Sequence, residues 1–225
     1  MDTAHGLQFY GITFRSDCEE RPLIYHLAFT EMYVPYGAHG KTWRWRGAFD
    51  AGEYGMGKNA SPLKRGRDVP MTAKMLPCQK VDDNTGEVTV MEGCIAIYER
   101  DDSPLLKHYH ETVKAAKAGA EMVIAYMCTI GNYDYIIDHV FTMDGNIEVS
   151  LAATGILLAR AVPNRINDPN CVEDCKDYIN YHTIAPVHQH FFNYKIDFDI
   201  DGVDNSLLEP SCPSLTSVIP STKSL

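Results

Sequence analysis

The sequence lacks both a long apolar run and a surplus of positive charge. None of its apolar stretches is long enough to span a bilayer, so no membrane span is predicted. Acidic residues outnumber basic ones by 30 to 20, which gives the 225 residues a formal net charge of −10. This charge disfavours a nucleic-acid partner on electrostatic grounds. Residues 1–6 have neither a basic nor an apolar segment, so no signal peptide is predicted and the compartment stays open.

The sequence also lacks any Cys-x-x-Cys pair, although it contains seven cysteines. Zinc knuckles and thioredoxin-like redox sites use such pairs, so neither is predicted. The cysteines are odd in number and scattered, and their spacing does not fix a redox compartment. The function must therefore be inferred from other residues.

Short stretches rich in β-branched and aromatic residues recur along the chain and predict strands. They lie at residues 7–14, 23–29, 88–90, 95–98, 122–128, 136–141, 147–151, 156–159 and 191–200. Turn residues at 83–86 and 144–146 predict hairpins. Residues 103–120 have helical character, and a long loop with one helical turn would explain them equally well. We predict a mainly β chain: one antiparallel β-sandwich domain at 1–204 and a poorly ordered Ser- and Pro-rich tail at 205–225.

The most informative stretch is Asn-Tyr-Asp-Tyr at residues 132–135, which lies between two predicted strands. Its Gly-Asn pair indicates a bulge or a hairpin, with two tyrosines packing nearby. The stretch resembles the Asn-Tyr-Asp/Glu-Tyr signature of the copper amine oxidases, in which the first tyrosine is oxidised in place to topaquinone. The resemblance implies that Tyr133 becomes the quinone and that Asn132 restrains its rotation.

His188 and His190 form a second candidate element, since alternate residues of a strand point to the same face. Two converging imidazoles commonly bind copper, zinc or iron, although surface histidines show the same spacing. Their segment, Ala-Pro-Val-His-Gln-His-Phe-Phe-Asn, resembles the family segment that supplies two of three copper ligands. The third family histidine lies in a segment that this chain does not contain. A competing pair, His108 and His110, matches a family element without a ligand role, and we interpret it as structural.

A third element is the stretch Ala-Phe-Asp-Ala-Gly-Glu-Tyr-Gly-Met-Gly around Asp50, where an aspartate would ordinarily form a turn or a helix cap. It resembles a family segment whose aspartate is the catalytic base, which implies that role for Asp50 and a place beside the substrate channel for Ala48. A Pro-Tyr-Gly stretch resembles the family segment whose tyrosine hydrogen-bonds the quinone oxygen, which implies that role for Tyr36. We expect Asp50, Tyr133 and the two histidines to surround one cavity, with Asp50 within roughly 10 Å of Tyr133.

The chemistry of the family explains these residue types. A primary amine condenses with the quinone, the base removes a proton from the amine's α-carbon, and O₂ reoxidises the cofactor. The products are an aldehyde, ammonia and H₂O₂. Burial would raise the pKa of Asp50 toward the operating pH, and Tyr36 would stabilise the developing oxyanion. The resemblance thus implies a primary amine oxidase with a small amine and O₂ as substrates and copper and topaquinone as cofactors.

Asp197, Asp199 and Asp201 alternate, which predicts three carboxylates on one strand face. Solvation at a strand end would explain such a row, and a bound cation is the alternative. The stretch resembles a second metal site of some family members, usually assigned to calcium. The matching ligands there are Asp197, the Phe198 carbonyl and Asp199.

The resemblance runs from residue 6 to residue 205 and covers the front half of the family's catalytic sandwich. It implies a homodimer and a disulfide between Cys78 and Cys94. Two alternatives stay open. One is an inactive remnant of that domain without a quinone, and the other is a β module that binds a metal through its two histidines without redox chemistry.

Overall fold

The computed structural model describes residues 1–16, 19–37, 43, 45–82, 84–163 and 177–206. Residues 207–225 lie outside this part, so the predicted tail stays a prediction. Within the described residues no helix is long and apolar enough to cross a membrane. A single π-helical turn spans Asp50–Tyr54. The strands are β1 (Gln8–Arg15), β2 (Glu20–Pro35), β3 (Gly47–Phe49), β4 (Ala60–Ser61), β5 (Lys74–Val81), β6 (Val88–Tyr109), β7 (Lys114–Ile130), β8 (Tyr133–Thr142), β9 (Ile147–Gly155), β10 (Arg160–Ala161), β11 (Tyr178–Asn180), β12 (Thr183–Ile184) and β13 (Phe191–Phe198).

The strands form three antiparallel sheets. The first sheet has the order β1-β2-β13, with β3 paired to β2. The second sheet has the order β5-β6-β7-β8-β9, in which neighbours in sequence are neighbours in space, with β4 paired to β7. The third sheet is small and has the order β10-β12-β11. The prediction of a mainly β, antiparallel fold is confirmed.

The first and second sheets share one buried apolar cluster, as the layers of a sandwich do. Phe29 and Met32 of β2 lie in it together with Tyr126 of β7, and with Tyr135 and Ile137 of β8. Each of these side chains is at most 1% exposed. Burying a side chain of this size stabilises a fold by about 1.5–3 kcal/mol, so this cluster holds the two sheets together.

The stretch at residues 103–120 is a β-hairpin, so both the helical interpretation and the loop alternative were wrong. It consists of the end of β6 and the start of β7, and Tyr109 pairs with Lys114 across the turn. The ladder shifts register around Pro104, which has no backbone N–H to donate. Its alanines favour a helix locally, but its two halves pair with each other as a continuation of the β6–β7 ladder.

The strand predicted at residues 156–159 is also absent, because its backbone donors are used elsewhere. The Ile156 N–H donates to the Asn132 carbonyl at 2.8 Å, and the Leu158 N–H donates to the Tyr133 hydroxyl at 3.1 Å. Gly155 ends β9 with φ +112°, and a Cβ there would collide with the Asn132 carbonyl. The segment therefore packs along the 132–135 stretch instead of extending the sheet.

The predicted hairpin at 144–146 is present, and so is the described part of the one at 83–86, whose residue 83 lies outside the described residues. The β5–β6 turn is closed by the Asp82 N–H, which donates to the Glu87 carbonyl at 2.9 Å. The β8–β9 turn is closed by the Thr142 N–H, which donates to the Asn146 carbonyl at 3.1 Å. The disulfide that the resemblance implied is also present, between Cys78 and Cys94 on the adjacent strands β5 and β6.

Candidate active site

A two-residue hairpin between β7 and β8 carries the Asn-Tyr-Asp-Tyr stretch. Ile130 pairs with Tyr133 across the turn. Gly131 has φ +57°, a left-handed conformation that glycine adopts without strain. The stretch is therefore the hairpin and not the bulge that its Gly-Asn pair equally allowed, and Tyr133 is the first residue of β8.

His188 and His190 lie beside Tyr133. The Tyr133 ring centroid is 5.3 Å from that of His188 and 5.5 Å from that of His190, and the two imidazole centroids are 5.0 Å apart. Sequence reasoning placed both histidines in a strand, whereas they precede β13 in an extended segment that forms a backbone bridge with Tyr36. The two histidines still point to the same side of this segment, because both are half-buried while Gln189 between them is exposed.

The two imidazoles fit two positions of a copper site. Nδ1 of His188 lies 3.0 Å from the Pro186 carbonyl oxygen. Since a carbonyl only accepts, this nitrogen carries the proton and Nε2 keeps its lone pair for a metal. Burial and the neighbouring His188 lower the pKa of His190, which favours the neutral form that metals bind.

Among the residues that the structure describes, no cluster of three or more His, Cys, Asp or Glu side chains could hold a metal ion. Copper prefers more than two protein ligands when it is tightly bound. The described residues therefore fit copper as a partial ligand set, consisting of His188 and His190.

Asp50 begins the π-helical turn that follows β3. The Gly55 N–H closes this turn by donating to the Asp50 carbonyl at 3.0 Å. At the start of the turn, the Glu31 carboxylate accepts the N–H groups of Ala51 at 2.9 Å and Gly52 at 3.2 Å. Glu31 on β2 thus satisfies donors that a helical turn leaves unpaired and fixes the position of Asp50.

The Asp50 side chain is suited to proton transfer near neutral pH. It is only 4% exposed, and Oδ2 accepts a hydrogen bond from the Tyr135 hydroxyl at 3.2 Å. Burial, with smaller contributions from the charges of Glu31 and Glu53, raises the pKa of Asp50 to about 6. The hydrogen bond from Tyr135 opposes this rise because it favours the carboxylate.

Tyr36 lies beside both Tyr133 and His188. Its ring stacks on His188 with centroids 4.8 Å apart. Burial, together with a hydrogen bond to the Tyr133 side chain, raises the pKa of Tyr36, so its hydroxyl keeps its proton at neutral pH. The structure thus puts a neutral phenol beside Tyr133, the tyrosine that the resemblance implies as the quinone precursor.

Two neighbouring pockets meet at Tyr133. A pocket of about 330 Å³ is lined by Tyr36, Ala48, Asp50, Asn132 and Tyr133, among others. A second pocket, of about 260 Å³, is lined by Tyr133 and the two histidines. The residues expected around one cavity thus line two adjoining pockets that share Tyr133: Asp50 lines the first, and the two histidines line the second.

Sequence reasoning missed three residues of this site. Tyr135 contacts both Asp50 and His190, Glu31 anchors the Asp50 turn, and the Arg46 guanidinium lies 5.8 Å from the centroid of the Tyr36 ring. Tyr135 had a usable signal, because it is two residues from Tyr133 on one strand and so shares its face.

The end of β13 differs from the three-aspartate face that the sequence predicted. The strand ends at Phe198, whose carbonyl accepts a hydrogen bond from the Asn205 side chain at 2.8 Å. Asp201 has a left-handed φ of +57° and forms an ion pair with Arg21 at 2.5 Å. The row is broken because the extended backbone stops before Asp199. The calcium-ligand assignment to Asp197, Phe198 and Asp199 stays a prediction.

Comparison with known proteins agrees with this geometry. A family model described as "Copper amine oxidase, enzyme domain" matches residues 1–220. The chain is 33% identical to a primary amine oxidase of Klebsiella aerogenes over an alignment of 220 residues that covers 95% of this chain and 29% of that protein. It is 34% identical to a copper methylamine oxidase of Arthrobacter sp. (strain P1) over an alignment of 207 residues that covers 91% of this chain and 31% of that protein.

The fold agrees as well. A copper-containing benzylamine oxidase from Hansenula polymorpha superposes with a TM-score of 0.74 at 27% identity, covering 89% of this chain and 30% of that one. The chain thus spans about three tenths of the length of these relatives and contains part of their catalytic domain. The family match over nearly all of its residues shows that the chain belongs to the copper amine oxidase family.

Proposed function

We propose that this chain carries the amine-binding and proton-abstracting part of a topaquinone-dependent primary amine oxidase. The observation that supports it best is the pocket in which buried Asp50, with its pKa raised to about 6, faces Tyr133 and Tyr36. A carboxylate with this pKa is ionised at pH 7 yet basic enough to take a proton.

The chain's own residues would divide the work as follows. Asp50 accepts, at a carboxylate oxygen, the proton that leaves the α-carbon of a small primary amine. Tyr36 keeps its proton and donates a hydrogen bond to the oxygen of the modified Tyr133 side chain. Asn132, in the hairpin turn, and Leu158, through its N–H, limit the rotation of that side chain.

His188 and His190 would hold copper through their Nε2 atoms. When bound, copper and the quinone made from Tyr133 supply the oxidising power that moves two electrons from the amine to O₂. The remaining copper ligand of the family lies outside this chain, and by family membership we propose that the complete enzyme is a homodimer.

A second candidate function follows from the partial ligand set. Two imidazoles and no third described ligand support a module that holds a metal without making a quinone. The two candidates differ in one observable, namely whether Tyr133 is oxidised when copper and O₂ are supplied.

The experiment is to add copper aerobically to the purified chain, with and without millimolar imidazole, and then react it with phenylhydrazine. Without imidazole we expect little or no coloured adduct, because copper would have two of its three histidine ligands. Free imidazole should occupy the open position, and an adduct should then map to Tyr133 by mass spectrometry. Tyr133→Phe is the matched control and should give none.

An absent adduct in the folded chain, with copper bound and imidazole present, would contradict the oxidase proposal and favour the metal-binding module. A strong adduct without imidazole would show that two histidines suffice.

A further inference from the structure

The Tyr135 hydroxyl is a buried group to which the proposed function assigns no role. It lies 3.2 Å from Oδ2 of Asp50 and 3.2 Å from Nδ1 of His190. Its residue is 1% exposed, so solvent does not compete for these contacts. One hydroxyl therefore joins the carboxylate of one pocket to an imidazole of the other.

The direction of these two hydrogen bonds follows from counting protons. A tyrosine has one O–H proton to donate, and an ionised carboxylate can only accept. The Tyr135 proton must therefore go to Asp50, and its oxygen is left to accept. Among the described residues, the partner left to donate to it is an N–H at Nδ1 of His190, which leaves Nε2 of that ring with a free lone pair.

His188 reaches the same tautomer by a different contact. The Pro186 carbonyl beside its Nδ1 cannot donate, so the proton lies on Nδ1 there too. A backbone carbonyl thus fixes the tautomer of His188. The tautomer of His190 depends instead on the Tyr135 side chain, whose own hydrogen bond depends on Asp50. Hydrogen bonds of this kind commonly set the orientation and tautomer of metal-binding histidines.

We propose that Tyr135 is a positioning residue that holds His190 in the Nδ1–H tautomer, and that it does so only while Asp50 accepts its proton. The copper-binding nitrogen of His190 is thereby coupled to the carboxylate that serves as base. The proposal rests on the proposed function for the meaning of this coupling, but the tautomer is a property of the metal-free chain and is measured there.

The test is imidazole ¹⁵N NMR on the metal-free, ¹⁵N-histidine-labelled chain at pH 7.5, with His190→Asn used to assign the His190 signals. In the unmodified chain both His188 and His190 should show a protonated Nδ1 and an unprotonated Nε2. Tyr135→Phe should move only His190 toward the Nε2–H form. Tyr194→Phe is the matched control, because it removes another partly buried hydroxyl that contacts a different histidine, His139, at 3.4 Å.

A second variant, Asp50→Asn, tests the same contact without changing the size of the side chain. In Asp50→Asn the new amide can donate to the Tyr135 oxygen, which frees the Tyr135 proton for Nδ1 of His190. We expect His190 to shift toward the Nε2–H tautomer while His188 stays unchanged. This variant keeps the test decisive should Tyr135→Phe fail to fold, as judged by its thermal melt.

The second measurement is a calorimetric titration of the chain with copper alone. Tyr135→Phe should weaken copper binding by about 10–100-fold, the usual effect of losing such a supporting contact, and Tyr194→Phe should not. An Nε2–H tautomer for His190 in the unmodified chain, or an unchanged tautomer in both Tyr135→Phe and Asp50→Asn, would overturn the proposal. A failed phenylhydrazine test with a shifted tautomer would contradict only the oxidase function.

Discussion

The pocket around Asp50 and the end of β13 are both sites that family resemblance suggested, yet they differ in burial and in internal contacts. Asp50 is 4% exposed and is fixed by Tyr135 and by the turn that Glu31 anchors. At the end of β13, Asp197 is exposed and the Phe198 carbonyl is bonded to Asn205. A resemblance gains physical support where residues distant in sequence converge in a buried place.

Removing the proposed base should have the largest effect on activity. Asp50→Asn keeps the shape of the pocket but cannot accept a proton, so amine-dependent H₂O₂ release should fall by about 10²–10⁴-fold. The measurement uses the chain supplied with copper and imidazole, with adduct formation at Tyr133 as the check that the quinone is still made. Full H₂O₂ release from this variant would remove Asp50 from the proposed chemistry.

A smaller but still large effect is expected at the imidazoles. His188→Ala leaves one histidine ligand, so copper affinity should fall by more than about 100-fold, beyond the usual effect of losing a supporting contact. Calorimetric titration with copper measures it. His108→Ala, in the competing His-x-His of the exposed β6–β7 hairpin, is the matched control and should bind copper as before.

The third effect concerns the pKa of the Asp50 carboxyl. Glu31→Gln removes a neighbouring negative charge, which should lower the Asp50 pKa from about 6 toward its ordinary value. Because the base works as the carboxylate, its activity should rise through that pKa, and the variant should become active at lower pH. A ¹³C NMR titration of the Asp50 carboxyl measures the shift, and Glu53→Gln gives a comparison from the other charged neighbour. An unchanged or higher Asp50 pKa in Glu31→Gln would contradict this electrostatic explanation.

The smallest effect is expected at the end of β13. A site with a dissociation constant near 1 mM, as weak calcium modules have, would stabilise the fold by about 1 kcal/mol at 5 mM calcium. Thermal unfolding with and without calcium measures it, and Asp197→Asn combined with Asp199→Asn should abolish the gain. Unchanged melting of the unmodified chain would leave only solvated carboxylates there.

The strands and turns were largely predictable because alternation and turn chemistry are local signals. Two of the failures, at residues 103–120 and 156–159, arise from backbone pairing. The first stretch continues the long β6–β7 ladder, and its two halves pair with each other. The second stretch donates its backbone hydrogen bonds to Asn132 and Tyr133, which are distant in sequence. Local composition does not contain that information.

The site likewise has features that local sequence predicts and features that depend on tertiary packing. The amino-acid sequences of three short stretches were enough to identify Tyr133, Asp50 and the two histidines as candidates. It could not reveal that Tyr133 lies between two pockets, or that Glu31 holds the Asp50 turn, because both facts depend on how β2 packs against β7 and β8. Tyr135 lay inside the recognised stretch, but its contacts to Asp50 and His190 exist only after the sheets assemble.

The most direct test of the central proposal, that Tyr133, Asp50 and the two histidines form one site, is paramagnetic broadening by copper. Substoichiometric copper is added to the isotope-labelled chain, and the NMR signals that lose intensity first are assigned. We expect losses at Tyr36, Tyr133 and Tyr135, with the signals of Asp197 and Phe198 retained. Early loss at the end of β13, or full intensity at Tyr133 with copper bound, would contradict the assignment.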